Sequence, residues 1–146
     1  MAREAALDDL YRGLTTLARR ARDAGDHLHP GLSLVAYSLL ARIDVTPGMR
    51  AADLASHFAL DKSTLSRQVE QLISAGLLRR DGEQPGRRGY VLTLTAAGRQ
   101  HLDVAGQAVR DRLAERLTDW DDQDIPTFAQ LVTRFNQAPA VPDRTG

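Results

Sequence analysis

The segment from Asp61 to Leu94 constrains the fold more than any other part of the chain. Residues 62–75 have helical spacing, with Leu65, Val69, Leu72 and Ile73 falling in one stripe about 100° wide. Arg67 lies almost opposite that stripe, with Ser63, Glu70 and Ser74 near it and Thr64 and Gln71 on a flank. Asp61 precedes the run as an N-cap, its carboxylate able to accept from first-turn amides, and Gly76 follows as a stop. Two β-prone runs come next, 77–80 and 90–94, joined by a loop rich in Gly, Pro and Arg that ends in Arg87-Arg88. One helix face is built to dock on a core. The other presents hydroxyls, an amide and an arginine, the groups that contact phosphates and base edges.

The rest of the chain reads as helices around this unit. Leu7, Leu10, Leu14 and Leu17 recur at three- and four-residue steps, predicting a first helix over 4–24 that Gly25 stops. Residues 33–43 predict a second helix so apolar (Leu34, Val35, Leu39, Leu40, Ile43) that it belongs between other elements. Thr46-Pro47-Gly48 breaks it, and 51–58 forms a short helix without a Ser or Thr cap. Thr95 caps a long helix lined by Leu102, Val109, Leu113 and Leu117, in which Gly98 and Gly106 read as tolerated exceptions. The last helix carries Ile125, Phe128, Leu131, Val132 and Phe135. Pro126 falls in its first turn, which makes Asp122 or Asp124 its cap. Residues 139–146 read as a disordered tail.

Short helix, exposed-face helix and two-stranded wing in that order make a winged helix-turn-helix. The fold class is therefore mainly α with a small β wing, in a single domain spanning 1–146. The wing-bearing lobe occupies 33–95, and the helical extensions 4–24 and 96–138 flank it. A lobe with its own small core leaves few intrachain surfaces to cover two long terminal helices. Leu7, Leu10, Leu14, Leu113, Leu117, Phe128, Leu131 and Phe135 are thus candidates for a core shared between two copies.

Composition matters chiefly for what it excludes. With no cysteine there is no disulfide, thiolate metal site, cysteine nucleophile or thiol sensor. No run approaches the roughly 20 apolar residues of a membrane span. The opening Met-Ala-Arg-Glu leads into an amphipathic pattern, so the cytoplasm is the expected location. The formal net charge of zero conceals a gradient: residues 50–99 carry eight basic and five acidic side chains, and residues 100–146 carry five and eight. A basic middle suits a nucleic-acid partner better than the average charge suggests.

Catalytic constellations are missing. Asp53 and His57 stand four apart on one helix, but His27, His29 and His101 supply no further ligand at a metal-site spacing. The serines lack a nucleophile elbow and a His–acid relay, and no Gly-rich phosphate fingerprint stands at a strand–helix junction. No enzymatic activity, metal or cofactor is expected.

The stretch 53–80 (Asp53-Leu54-Ala55-Ser56-His57-Phe58 through Gly76-Leu77-Leu78-Arg79-Arg80) resembles the helix-turn-helix and first wing strand of the MarR family of bacterial transcription regulators. Arg87-Arg88-Gly89-Tyr90-Val91-Leu92-Thr93-Leu94-Thr95-Ala96-Ala97-Gly98 resembles that family's return strand and Leu-Thr-x-x-Gly lead into the long helix. The resemblance implies a homodimer whose N- and C-terminal helices intertwine, and a recognition helix in the major groove of double-stranded DNA. It also implies a wing in the adjacent minor groove and, in many members, release by a small aromatic or phenolic effector.

On this chain the recognition-helix residues are Lys62, Ser63, Thr64, Ser66, Arg67 and Gln71, the wing residues Arg87 and Arg88, and the further phosphate contacts Arg79 and Arg80. The hydroxyls of Ser63, Thr64 and Ser66 suit phosphate and base edge equally. Gly86 stands where the family commonly has an aspartate that orients an arginine. Either Arg87 or Arg88 then enters the groove, and the match favours Arg88. No ligand residue is assigned. The competing reading is a winged-helix protein–protein interaction module.

Overall fold

A computed structural model describes residues 1–24, 31–82 and 89–139. Its elements are α1 (Ala2–Ala24), α2 (Leu34–Val45), α3 (Ala51–Phe58), α4 (Lys62–Ser74), β1 (Leu78–Asp81), β2 (Val91–Leu94), α5 (Ala96–Arg116) and α6 (Asp124–Gln137). The predicted order of elements is the observed one. β1 is displaced by one residue, running Leu78–Asp81, and β2 ends at Leu94 as expected but begins one residue later, at Val91. The chain divides into two units, Met1–Val109 and Arg110–Gly146, with the boundary inside α5.

In the first unit one apolar core holds the helix-turn-helix and the ribbon together. Leu39 and Leu40 from α2, Leu54 from α3, Leu65 from α4 and Leu78 from β1 are its largest fully buried side chains. Val69, Leu72, Leu77, Leu92, Leu94, Leu102 and Ala105 complete the contributions of α4, the ribbon and α5. Fully burying one leucine is worth about 1.5–3 kcal/mol. Five such side chains from four elements therefore set how α4 sits on the lobe. On α2 the buried side is narrower than its composition predicts, because Leu34 and Val35 are exposed.

Each helix end has an identifiable cause. Ser33 Oγ accepts the Ala36 N–H at 3.1 Å and starts α2. At α3 the missing Ser or Thr cap is replaced from inside the helix: Asp53 Oδ2 accepts the Arg50 N–H at 3.0 Å. Asp53 therefore caps its own helix, and the His57 ring packs edge-on against Phe58 with centroids 4.8 Å apart. The α3–α4 turn passes through Ala59 at φ 50°, left-handed backbone more often given to glycine. Asp61 is the N-cap of α4, and Gly76 at φ 74° ends the chain's run into β1.

β1 and β2 pair antiparallel, with Leu78 opposite Leu94 and Asp81 opposite Val91. The ribbon has a further neighbour that sequence reasoning missed. Arg50 forms a bridge with Val91, and the Leu92 N–H donates to Met49 O at 2.9 Å. The base of the wing is thereby stitched to the residues that start α3.

Two expectations need correction. Gly98 is not a tolerated exception, since a Cβ there would lie 2.0 Å from Leu77 O; only glycine lets α5 approach the end of the helix-turn-helix this closely. Neither Asp122 nor Asp124 caps α6. Gln123 occupies the cap position without a side-chain bond, and the Asp124 N–H is already taken by Asp121 O at 2.9 Å. Asp124 is instead the first helical residue, where its carboxylate meets the positive end of the helix dipole. In the second unit α6 buries none of its residues: Phe128, Leu131 and Phe135 are exposed. Leu7, Leu10 and Leu14 of α1 and Leu113 of α5 are exposed as well, and Leu117 is half-buried. No helix among the described residues is long and apolar enough to cross a membrane.

Candidate nucleic-acid interface

The outward face of α4 follows from the burial of its inward one. Because Leu65, Val69 and Leu72 are buried, Lys62, Ser63, Ser66, Arg67 and Gln71 are held outward, with Thr64 half-buried on the flank. Lys62 is the only lysine in the chain. It and Arg67 have no carboxylate within ion-pair distance among the described residues. Two free cations on an exposed helix, one of them on its first residue, make a positively charged ridge.

The hydroxyls beside them are already engaged. Asp61 Oδ1 accepts from Ser63 Oγ at 2.6 Å and from the Thr64 N–H at 2.7 Å, and Asp61 Oδ2 accepts from Thr64 Oγ1 at 2.6 Å. The Ser63 hydroxyl first, then that of Thr64 and its amide, hold the Asp61 carboxyl far below the usual carboxylate range. Ser63 and Thr64 thus spend their protons on the cap, which leaves Ser66 as the outward hydroxyl with no such tie to Asp61.

Arg79 and Arg80 point to opposite faces of the ribbon, as neighbours on a strand must. Arg79 Nε lies 3.3 Å from Asp81 Oδ1, and Asp81 Oδ2 also accepts from Thr93 Oγ1 at 2.8 Å. Arg80 pairs with Glu70 of α4, and its guanidinium carbon sits 5.5 Å from the centroid of the Tyr90 ring. Both arginines are therefore carboxylate-paired, unlike Lys62 and Arg67.

Arg50, which sequence reasoning did not single out, is the buried cation of the lobe at 6 % exposure. Its Nη1 donates to Gly89 O at 2.7 Å, fixing the carbonyl of the residue that follows Arg87-Arg88. A cleft of about 250 Å³ between the start of α3, α4 and the ribbon is lined by Arg50, Ser66, Glu70, Arg80 and Tyr90. No sequence signal marked Arg50, because its role depends on a contact 39 residues away. Arg87, Arg88 and Gly86 lie outside the described residues. Among the described residues no group of three or more His, Asp or Glu is arranged to hold a metal.

The arrangement is that of a helix anchored by one face and charged on the other, beside a two-stranded ribbon. Comparison with known proteins agrees with that geometry. The sequence model of the MarR family matches residues 32–83. The HTH-type transcriptional regulator YxaD of Bacillus subtilis is 34 % identical over 127 residues, covering 86 % of this chain and 89 % of that protein. A putative transcriptional regulatory protein for the hcr operon of Thauera aromatica is 38 % identical over 106 residues, covering 73 % of this chain and 61 % of its own. Among solved structures, a MarR family protein from Bacillus stearothermophilus superimposes with a TM-score of 0.77 at 17 % identity, over 92 % of this chain and 95 % of that one. A MarR family regulator from Rhodococcus sp. RHA1 gives 0.76 at 21 % identity, over 92 % and 96 %. The mostly helical fold with its two-stranded antiparallel sheet is the winged-helix fold of these structures.

Proposed function

Because the chain belongs to the MarR family of transcriptional regulators, we propose that it binds a pseudo-palindromic DNA operator as a homodimer and represses transcription there. The observation that carries this reading is the outward face of α4, where Lys62 and Arg67 have no ion-pair partner among the described residues, on a helix whose opposite face is locked in the core. Placed in a major groove, Arg67 has the fork geometry for guanine O6 and N7, a contact worth about 1–3 kcal/mol of discrimination. Lys62, on the first turn, reaches a phosphate. Arg87 or Arg88 would enter the neighbouring minor groove, where an A·T-rich sequence focuses negative potential. Arg79 and Arg80 supply phosphate contacts only by leaving Asp81 and Glu70.

The exposed apolar faces of α1 and α6 support the dimer, since a monomer would leave Leu7, Leu10, Phe128 and Phe135 in water. Two copies present two α4 helices to half-sites about one turn, 34–36 Å, apart. A dimer on such a site excludes polymerase, which gives repression. The family reading extends to release by a small aromatic or phenolic ligand.

The test is selection from a random double-stranded library, followed by titration of the enriched site at several salt concentrations. The reading expects an inverted repeat, and log affinity falling linearly with log salt. Uniformly weak binding to every duplex, with no enriched site, overturns it in favour of a protein-interaction module. Adding a phenolic acid to the bound complex tests release: unchanged affinity removes that part of the reading alone.

A further inference from the structure

Arg50 occupies the N-cap of α3, where Ser, Thr, Asp or Asn serve because their side chains accept from first-turn amides. A guanidinium can only donate, and here it makes no cap bond. Asp53 closes the turn instead, accepting the Arg50 N–H at 3.0 Å. The Arg50 side chain therefore does nothing for the helix it precedes. Yet it is the one buried charged side chain among the described residues. Burying a cation is costly unless its donors are bonded, so its placement is explained by what it reaches.

What it reaches is the return limb of the ribbon. Arg50 Nη1 donates to Gly89 O at 2.7 Å, and the Arg50 backbone bridges Val91 two residues further on. Gly89 stands at φ 98°, left-handed backbone that favours glycine, so the chain changes direction at the residue whose carbonyl Arg50 holds. Tyr90 beside it lies against Arg80, which is paired with Glu70 of α4. Gly89 and Tyr90 are both exposed, so core packing does not place them. Polar ties to α3 and α4 do. The two helices share one core through the buried Leu54 and Leu65, and a carbonyl fixed to the start of α3 is thereby fixed to the frame that carries α4.

We infer that Arg50 is a positioning residue for DNA recognition. Without meeting DNA itself, it sets where the return limb stands relative to α4, and so lets one protomer read a major groove and the flanking minor groove together. The inference rests on the DNA-binding reading and adds a specificity-determining residue that lies beneath the contact surface. A limb held in place before binding has less freedom to lose on the duplex, which is what makes the second contact count.

The test compares binding to three duplexes. They are the selected operator, the same operator with its A·T flanks changed to G·C, and the operator with the guanine proposed to meet Arg67 changed to adenine. Wild type should lose about tenfold in affinity on each altered duplex. Arg50→Met keeps the length of the side chain and removes its donors and charge. With folding checked by circular dichroism, it should bind the operator about tenfold more weakly and lose nothing further on the G·C-flanked duplex. It should still lose about tenfold when the guanine is changed. Loss of a charge alone would weaken all three duplexes alike and leave both preferences intact. An Arg50→Met protein that keeps the wild-type flank preference, or that loses both preferences together, overturns the inference and leaves the DNA reading standing. A wild-type chain that selects an operator but ignores its flanks overturns the wing contact and the inference with it. A wild-type chain that selects no operator overturns the DNA reading itself. Should Arg50→Met fail to fold, Gly89→Ala decides alone. It strains the backbone at the held carbonyl, at a place where the added Cβ meets nothing within 4 Å. It must show the same selective loss of flank preference, and an unchanged preference overturns the inference.

Discussion

At the scale of single side chains, the outward surface of α4 and the ribbon separates cations that are free from cations already paired. Among the described residues Lys62 and Arg67 have no ion pair to break on meeting DNA, whereas Arg79 and Arg80 must first part from Asp81 and Glu70. Arg67→Ala should cost about 1–3 kcal/mol on the selected site and relax its preference at one base position. Lys62→Ala should weaken binding to all duplexes alike and reduce the salt slope by about one per protomer, as the loss of one phosphate contact does. Equal losses on specific and random duplexes for Arg67→Ala would assign that residue to phosphate as well. Asp61 carries a different prediction. Its folded pKa is depressed by the Ser63 and Thr64 bonds below the ordinary value of 3.8, so its contribution to stability is complete above that value and declines as pH falls below it. Acid titration of the melting temperature should show Asp61→Asn, which keeps an N-cap acceptor, losing less stability below pH 4 than wild type does.

At the scale of elements, two contacts fix how helix, ribbon and α5 are joined. The first is Gly98 against Leu77 O. Gly98→Ala gains helix propensity of about 1 kcal/mol yet must displace backbone. The net effect should be a loss of roughly 1–3 kcal/mol in urea unfolding. Neutral or improved stability would mean that α5 can shift without cost. The second is the Glu70–Arg80 pair, which ties α4 to β1. Glu70→Gln removes a negative charge from the face proposed to meet DNA and frees Arg80, so affinity should rise several-fold and the salt slope steepen by about one per protomer. Lower affinity would instead make the pair a support for the angle of the ribbon.

These two contacts also mark where sequence reasoning stops. Periodicity located α4, its cap and its stop because those depend on neighbours within four residues. The necessity of Gly98 and the burial of Arg50 arise from partners 21 and 39 residues away in the chain, for which spacing carries no sign. The α6 cap failed for a local reason: Asp121 O closes the turn with a backbone bond, so a run of aspartates cannot be ranked by cap preference alone.

At the scale of the whole molecule, what stands out is how much apolar surface the chain leaves uncovered on α1 and α6. Leu131, 54 % exposed on α6, lies on the apolar face that supports the proposed dimer. Leu131→Glu places a charge there while leaving α4 untouched. Dimer affinity should fall by tenfold or more, on the order of the several kcal/mol that an unpaired interfacial charge costs. Affinity for the inverted repeat should fall with it, and binding to a single half-site should not change. Full-strength binding to the inverted repeat by a monomeric variant would show that the two half-sites are filled independently. The charge gradient along the chain, basic over 50–99 and acidic beyond, puts the excess of positive charge in the stretch proposed to meet the nucleic acid.

Lys62, as the only lysine, gives the protein a built-in chemical reporter. Its exposed ε-amine is the chain's single side-chain amine and stands on the first turn of α4. An amine-selective reagent therefore modifies one side chain, and if α4 meets DNA as proposed, protection of that peptide should report how much of the protein is seated on a duplex. Reductive methylation keeps the charge and would serve as the footprint, whereas acylation removes it and should weaken the proposed binding.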